Sequence, residues 1–312
     1  MQRIIVVGPG ALGCLFSGLL SRAAEVWLLD HDQARADRIV HQGGIFCEGL
    51  DTWKAQVPVT ARPEDIGIVD LVVLCTKSQH TAEALMHARP VIGEHTAVLS
   101  IQNGIGNAEL IERVVGKAGA FAGVTHQAAI LKAEGKIQHT FDGPTVIGAL
   151  SGRSSGELNK IKNVFKAAGI RVRVSDDIRG FLWSKLIVNV GINALSAVTR
   201  LQNGYLLEEE GARDLMKAAV EEAVRVAKRK HIHLLYDDPV KAVLKACREF
   251  RHNRSSMLQD VLKQKLTEIN YLNGVIVQEA KKYKIAVPVN ETLYRLVRTI
   301  ERTYPLQAGN DK

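Results

Sequence analysis

Three polar residues recur at a spacing of four inside an otherwise apolar run: Lys185, Asn189 and Asn193 in WSKLIVNVGIN, Trp183 to Asn193. On a helix a step of four turns about 400°, so each residue lies ~40° round from the last and about 6 Å further along. They then form one stripe, and Leu186, Ile187, Val188, Val190 and Ile192 cover the rest of the circumference. A helix that is apolar nearly all round is expected to be buried. An ammonium held there can stabilise and protonate an oxyanion, and the amides can orient a small polar ligand. The alternative is that the amides bond a neighbouring helix or a buried water, because an unpaired buried polar group costs about 1–3 kcal/mol. That alternative is weaker for lysine, which is seldom fully buried without a partner.

Glu268, between Leu266 and Ile269 in a helical pattern, reads as a partly buried carboxylate. Such a group needs a cation, and Lys185 is the natural one. A second polar cluster is SSMLQD, Ser255 to Asp260, in which Ser256 and Gln259 have the form of a capping box. A straight helix starting there would hold Ser256 and Glu268 about 18 Å apart. That is too far for one small ligand. The reading preferred here is an irregular loop over 255–259, with Asp260 capping a helix of about 260–284.

These residues need elements to hold them. QRIIVV (residues 2–7) reads as a strand, GPGALG (8–13) as a glycine turn, the stretch to Leu20 as a helix, and Glu25–Leu29 as a second strand ending at Asp30. Strand, glycine turn, helix, strand and acid in this order form the βαβ dinucleotide fingerprint of a Rossmann-type domain. Gly8 allows the tight turn, Gly10 lets the backbone approach a pyrophosphate, and Gly13 lets the helix pack close to the strand. Ala11 and Leu12 open the helix, whose N-terminus favours phosphate. Asp30 is placed to accept the ribose hydroxyls of NAD and would repel a 2′-phosphate, yet His31, Arg35 and Arg38 follow and could hold that phosphate. Both nucleotides stay open.

Residues 44–60 read as a small hairpin around Phe46, Trp53, Val57 and Val59. Residues 70–75 (DLVVLC) are apolar after Asp70, hence a central parallel strand, with Lys77 beyond its carboxyl end, where ligands of such sheets sit. Lys77 is a candidate contact for a cofactor phosphate or ribose, or one exposed lysine among many. Residues 97–101 form the next strand and run into Gln102-Asn103-Gly104-Ile105-Gly106, a candidate site loop or a plain turn. Further strands are expected at 119–131, 136–141 and 145–149, a helix at 157–168 and an edge strand at 171–175. After Asp176 the pattern is helical, with helices at 177–199, 208–230, 238–250, about 260–284 and 290–302, and a frayed tail from Pro305. The expected organisation is therefore a doubly wound α/β domain over residues 1–175 and an all-α domain over 176–312. The lysine stripe opens the second domain, beside the crevice where small-molecule sites concentrate.

The chain has 312 residues, 46% hydrophobic and 24% charged, which fits a soluble globular protein with room for two cores. Cys14, Cys47, Cys75 and Cys247 form no C-x-x-C pair, as expected of free thiols in the cytoplasm, and no metal site is expected. The first apolar run is short and ends in glycines, so no signal peptide is expected. No run of about 18 uncharged apolar residues is present, so no membrane span is expected. The net charge of +8 suits an anionic cofactor and substrate. The densest basic run, Arg225–Lys230, follows Glu221 and Glu222 on a helical pattern and reads as a solvated face. It lacks the interleaved aromatics of a nucleic-acid site. Long apolar helix faces in the second half fit a homodimer.

The chain resembles the ketopantoate reductases (2-dehydropantoate 2-reductases) over essentially its whole length. The resemblance rests on GPGALG, Thr76-Lys77, the NGIG loop, WSKLIVNVGIN, Asn203-Gly204, SSMLQD, TEIN with Glu268, and IAVPVN (Ile285–Asn290). It implies reduction of 2-dehydropantoate to (R)-pantoate with NADPH, on the route to pantothenate and coenzyme A. It also implies Lys185 as catalytic acid and Asn189, Asn193, Asn203 and Ser256 as substrate contacts. Asn103 is implied at the nicotinamide, Glu268 near cofactor and lysine, and Lys77 as an adenosine-phosphate contact. Two positions depart from the family pattern. His31, after Asp30, stands where NADPH-using members commonly carry arginine, and His80 stands where some carry glutamine. Both bear on the choice between NADPH and NADH. Neither touches the catalytic set.

Overall fold

A computed structural model describes residues 1–150 and 156–307. By Cα proximity the chain forms two compact units, Met1–Gln102 with Gly106–Ile178, and Asn103–Ile105 with Arg179 onward.

The first unit runs, in order, β1 (Arg3–Val7), α1 (Ala11–Leu20), β2 (Glu25–Leu29), α2 (Gln33–His41), β3 (Ile45–Gly49), β4 (Trp53–Ala55), β5 (Val59–Thr60), β6 (Leu71–Leu74), α3 (Thr81–His87), β7 (Ala97–Ser100), α4 (Asn107–Gly119), β8 (Ala120–Thr125), β9 (Ala128–Ala133), β10 (Lys136–Phe141), β11 (Thr145–Gly148), α5 (Gly156–Ala167) and β12 (Val172–Val174). The main sheet has eight strands in the order β12-β11-β8-β7-β6-β1-β2-β5. From β5 to β8 all neighbours are parallel, and β11 reverses against β8. The residues of β6 and β7 are buried throughout, which is why they read as unbroken apolar runs. The chain moves from β1 outward to β2, then crosses to β6 on the other side of β1. The loops after β1, β2, β6 and β7 thus leave the sheet at its carboxyl edge, around the point where strand order reverses.

Two strand expectations change. Residues 119–131 are not one strand. The chain leaves the main sheet after Thr125, and β9 joins a second, four-stranded sheet of order β4-β3-β10-β9. The 44–60 hairpin is real for β3 and β4, but Val59 and Thr60 pair with β2 in the main sheet. The small sheet packs on α1, and a Cβ on Gly18 would lie 2.2 Å from the Trp53 ring. Lying between two sheets, α1 is buried at every residue from Gly13 to Leu20. Local periodicity cannot reveal a sheet whose parallel pair, β3 with β10, joins segments far apart in the chain.

The second unit continues with α6 (Ile178–Thr199), α7 (Glu210–Arg229), α8 (Pro239–Glu249), α9 (Ser256–Leu262), α10 (Asn273–Lys282) and α11 (Pro288–Arg302). Its core collects Trp183, Leu186, Ile187, Val190, Ala194 and Leu195 of α6 against residues of α7, α8 and α11. Gly191 permits the close crossing: a Cβ there would lie 2.9 Å from both Val220 and Val243. By length and hydropathy α6 is apolar enough to cross a membrane, but 67% of that window is buried inside the protein, as in a core helix. The basic face of α7 exposes Arg225, Lys228 and Arg229. Glu222 departs from it. It is buried, and its carboxylate accepts from the N–H groups of Val289 (3.0 Å) and Asn290 (2.9 Å), capping α11.

The expected 260–284 helix is broken. After α9 the chain turns at Gln264, with φ 52°, makes a single 3-10 turn over Ile269–Tyr271, and restarts as α10. Ser255, not Asp260, is the cap: its hydroxyl accepts from Leu258 N at 3.1 Å, so SSMLQD is helical from Ser256 rather than an irregular loop. The chain from Pro305 is held in a last turn as far as Gln307, with Tyr304 buried, and residues 308–312 lie outside the described residues.

Candidate active site

The glycine turn after β1 has the geometry a dinucleotide needs. Gly8 has φ +101°, and a Cβ there would lie 2.7 Å from the Thr76 side chain. Gly13 abuts the turn so closely that a Cβ would fall 1.8 Å from Gly8 O. A Cβ at Gly10 meets nothing within 4 Å, so the space above it is open to a phosphate. Gly10 precedes the first turn of α1, which begins at Ala11 and Leu12 and has no side-chain cap. These residues fit a pyrophosphate on free N–H groups.

Asp30 follows the last residue of β2. Its side chain has no exposed surface. It accepts from Arg35 Nε at 2.6 Å and from Arg35 Nη2, and from the N–H of His31 (2.6 Å) and Asp32 (3.2 Å). The hydrogen bond to Asp30 holds the Arg35 guanidinium further above its ordinary range, against the opposing effect of burial. His31 is left exposed and Arg38 is paired with Glu134.

Lys77 follows β6, half-buried, just ahead of a 3-10 turn over Ser78–His80. Gln102, expected only as the first residue of the loop after 97–101, and Asn107, which the sequence did not single out, hold this segment. Gln102 Nε2 donates to Thr76 O, Thr76 Oγ1 and Thr81 Oγ1 at 2.9–3.1 Å, and Asn107 Nδ2 donates to Ser78 Oγ at 3.0 Å. Their position after β7 and at the start of α4 was the available signal. The thiols of Cys14 and Cys75 are pushed up by burial, the reverse of what a nucleophile needs. Among the described residues no cluster of His, Cys, Asp and Glu could hold a metal ion.

In the second unit, α6 carries the lysine stripe at its edge rather than in its centre. Lys185 and Asn189 are half-buried, and Asn193 is buried. The helix is thus not closed all round, and Lys185 and Asn189 keep part of their surface exposed. Burial pushes the Lys185 ammonium down to about 8, while the charge of Glu268 opposes that fall. Glu268 is buried, and it sits not in a helix but in the break, at the start of the Ile269–Tyr271 turn. The break resolves the 18 Å objection, because Ser256 and Glu268 do not lie on one straight helix. The NGIG loop meets the same turn. Ile105 N donates to Tyr271 O at 3.3 Å, and Gly104, with φ +84°, would place a Cβ 2.6 Å from that oxygen. So Asn103 and Glu268, far apart in the chain, lie on adjoining backbone. Ser256 is half-buried at the first turn of α9. Asn203 is buried, its N–H donates to Asn253 O at 3.0 Å, and its Oδ1 has no hydrogen-bond partner among the described residues.

A Rossmann-type unit with an open glycine turn, followed in the chain by a helical unit with a lysine of lowered pKa beside a buried carboxylate, is the plan of a nicotinamide-dependent oxidoreductase. Residues 4–152 match the family described as "Ketopantoate reductase PanE/ApbA", and residues 177–301 match "Ketopantoate reductase PanE/ApbA C terminal". The 2-dehydropantoate 2-reductase of Pyrococcus abyssi is 36% identical over 299 residues, covering 95% of this chain and 97% of that one. A PanE/ApbA family ketopantoate reductase from Ralstonia eutropha JMP134 superposes with TM-score 0.89 at 32% identity, covering 97% of this chain and 99% of that one. D-mandelate dehydrogenase with NADH and anilino(oxo)acetate superposes with TM-score 0.88 at 27% identity, over 97% and 99%. The chain belongs to the ketopantoate reductase PanE/ApbA family.

Proposed function

We propose that the chain reduces 2-dehydropantoate to (R)-pantoate, a step toward pantothenate and coenzyme A, with NADPH. The observation that carries this reading is Lys185, half-buried on α6, its pKa lowered to about 8 and the charge of Glu268 acting on it. A bound nicotinamide supplies the hydride. The 2-oxo oxygen becomes an alkoxide as the carbon is reduced, and the Lys185 ammonium stabilises that charge and gives up its proton. Glu268 keeps the amine charged until then. Asn189, Asn193, Asn203 and Ser256 orient the carboxylate and hydroxyl of the substrate. Gly8, Gly10, Ala11, Leu12 and Gly13 hold the pyrophosphate, Lys77 and His31 the adenosine end, and Asn103 with Glu268 the nicotinamide end. The preference for NADPH is supported by the Arg35 fork, which neutralises Asp30 and removes the usual objection to a 2′-phosphate. Four free cysteines suit a reducing cytoplasm.

The likeness to D-mandelate dehydrogenase favours a second reading, reduction of a 2-oxo acid with an aromatic side chain using NADH. Steady-state rates with 2-dehydropantoate and with phenylglyoxylate, each with NADPH and NADH, separate the two. The proposal expects the highest kcat/KM for 2-dehydropantoate with NADPH. A higher value for phenylglyoxylate overturns it.

A further inference from the structure

Glu301, near the end of α11, has a buried carboxylate whose side chain is 2% exposed. Its Oε1 accepts from both the backbone N–H and the hydroxyl of Thr267, each at 2.7 Å. The Thr267 hydroxyl in turn accepts from Ile269 N at 3.2 Å, and Tyr271 N donates to Glu268 O at 2.9 Å. Glu268 is therefore bracketed: the residue before it is clamped to α11, and the residue after it is tied to that clamp. A second tie from the same helix end is Tyr304, whose hydroxyl donates to Lys265 O at 2.9 Å. The other groups acting around Glu301 are Arg298, which donates to Oε2 at 3.2 Å, and Tyr304, on which Asp260 also acts. A buried carboxylate is costly, and a tie serving only stability could be apolar. Here it is spent on a turn of broken helix.

We propose that Glu301 is a positioning residue: through Thr267 it fixes the turn that presents Glu268 to Lys185. The proposal rests on the reading of Lys185 as the acid and adds to it the device that holds the acid's partner. A loosened turn leaves Lys185 with burial and without its full countercharge, so the amine loses its proton at lower pH. The predicted damage falls on kcat and its alkaline limb, while nucleotide binding by the glycine turn is untouched.

The test is the pH profile of 2-dehydropantoate reduction by the full chain carrying Thr267→Val, Thr267→Ser, Glu301→Ala, Glu268→Gln and the Glu268→Gln/Glu301→Ala pair. Thr267→Val keeps the volume and the backbone donor and removes the hydroxyl, so it serves even where Glu301→Ala does not fold. The expected result is a loss of about tenfold or more in kcat for Thr267→Val, an alkaline limb moved below that of the wild type, and recovery of both with Thr267→Ser. In the Glu268→Gln background Glu301→Ala costs little more, because both act on one element. A Thr267→Val enzyme with normal kcat and profile, or losses at 301 and 268 that simply add, overturns the proposal. Lys185→Ala run alongside separates this from failure of the underlying reading: turnover retained there removes Lys185 as the acid.

Discussion

Arg35 closes a two-pronged fork on Asp30, its Nε and Nη2 meeting the two oxygens of a carboxylate that has no exposed surface. A carboxylate at the end of β2 is the usual discriminator against a 2′-phosphate. Here its charge is paired inside the protein, and His31 beside it is exposed.

From this fork follows a prediction about cofactor choice. Arg35→Met frees the Asp30 charge, so KM for NADPH should rise about tenfold or more while KM for NADH changes little. Asp30→Asn in the same background should restore NADPH use. Parallel KM measurements decide, and equal changes for both nucleotides would sink the argument.

The pH dependence is set by Lys185, with a pKa of about 8. A general acid works in its protonated form, so the rate of reduction should be flat below pH 8 and fall about tenfold per pH unit above it. The reverse oxidation needs the neutral amine and should rise through the same pH. Lys185→Ala should abolish turnover and leave nucleotide affinity nearly intact. Stability follows the opposite sign from a paired lysine. The folded pKa lies below the ordinary 10.5, so the unfolded chain binds more protons between pH 8 and 10.5 and wild-type stability rises across that window. The penalty, at most about 3 kcal/mol, is fully present below pH 8. Thermal melts should therefore show any stability advantage of Lys185→Met shrinking between pH 8 and 10.5.

Two glycines of the turn should separate binding from folding. A Cβ at Gly10 has open space, whereas one at Gly13 falls 1.8 Å from Gly8 O. Gly10→Ala should melt like wild type and bind nucleotide poorly, because its methyl occupies the room of the pyrophosphate. Gly13→Ala should lose both stability and binding. Differential scanning calorimetry with nucleotide titration reads both.

Adjacent serines should divide in the same way. Ser255→Ala removes the cap of α9 and should cost about 1 kcal/mol of stability, with little change in KM. Ser256→Ala leaves the cap and should raise KM for the oxo acid. A stability loss at 256 rather than 255 in denaturant titrations would reverse the assignment.

Local pattern carried far in this chain. The βαβ fingerprint, the apolar strands β6 and β7, and the spacing of Lys185, Asn189 and Asn193 depend on residues within a few positions of each other, and periodicity records such neighbours. The α/β half, the helical half and the lysine stripe were legible in this way. Tertiary packing set the burial of Asp30, whose carboxylate has no exposed surface and meets the Arg35 fork. It also decided the pairing of β3 with β10, the cap of α11 by Glu222, and the break that removes Glu268 from a helix. That break is held by Glu301, 34 residues beyond Thr267. The carboxylates of Glu222 and Glu301 find backbone partners 67 and 34 residues away, and no local window along the chain contains them.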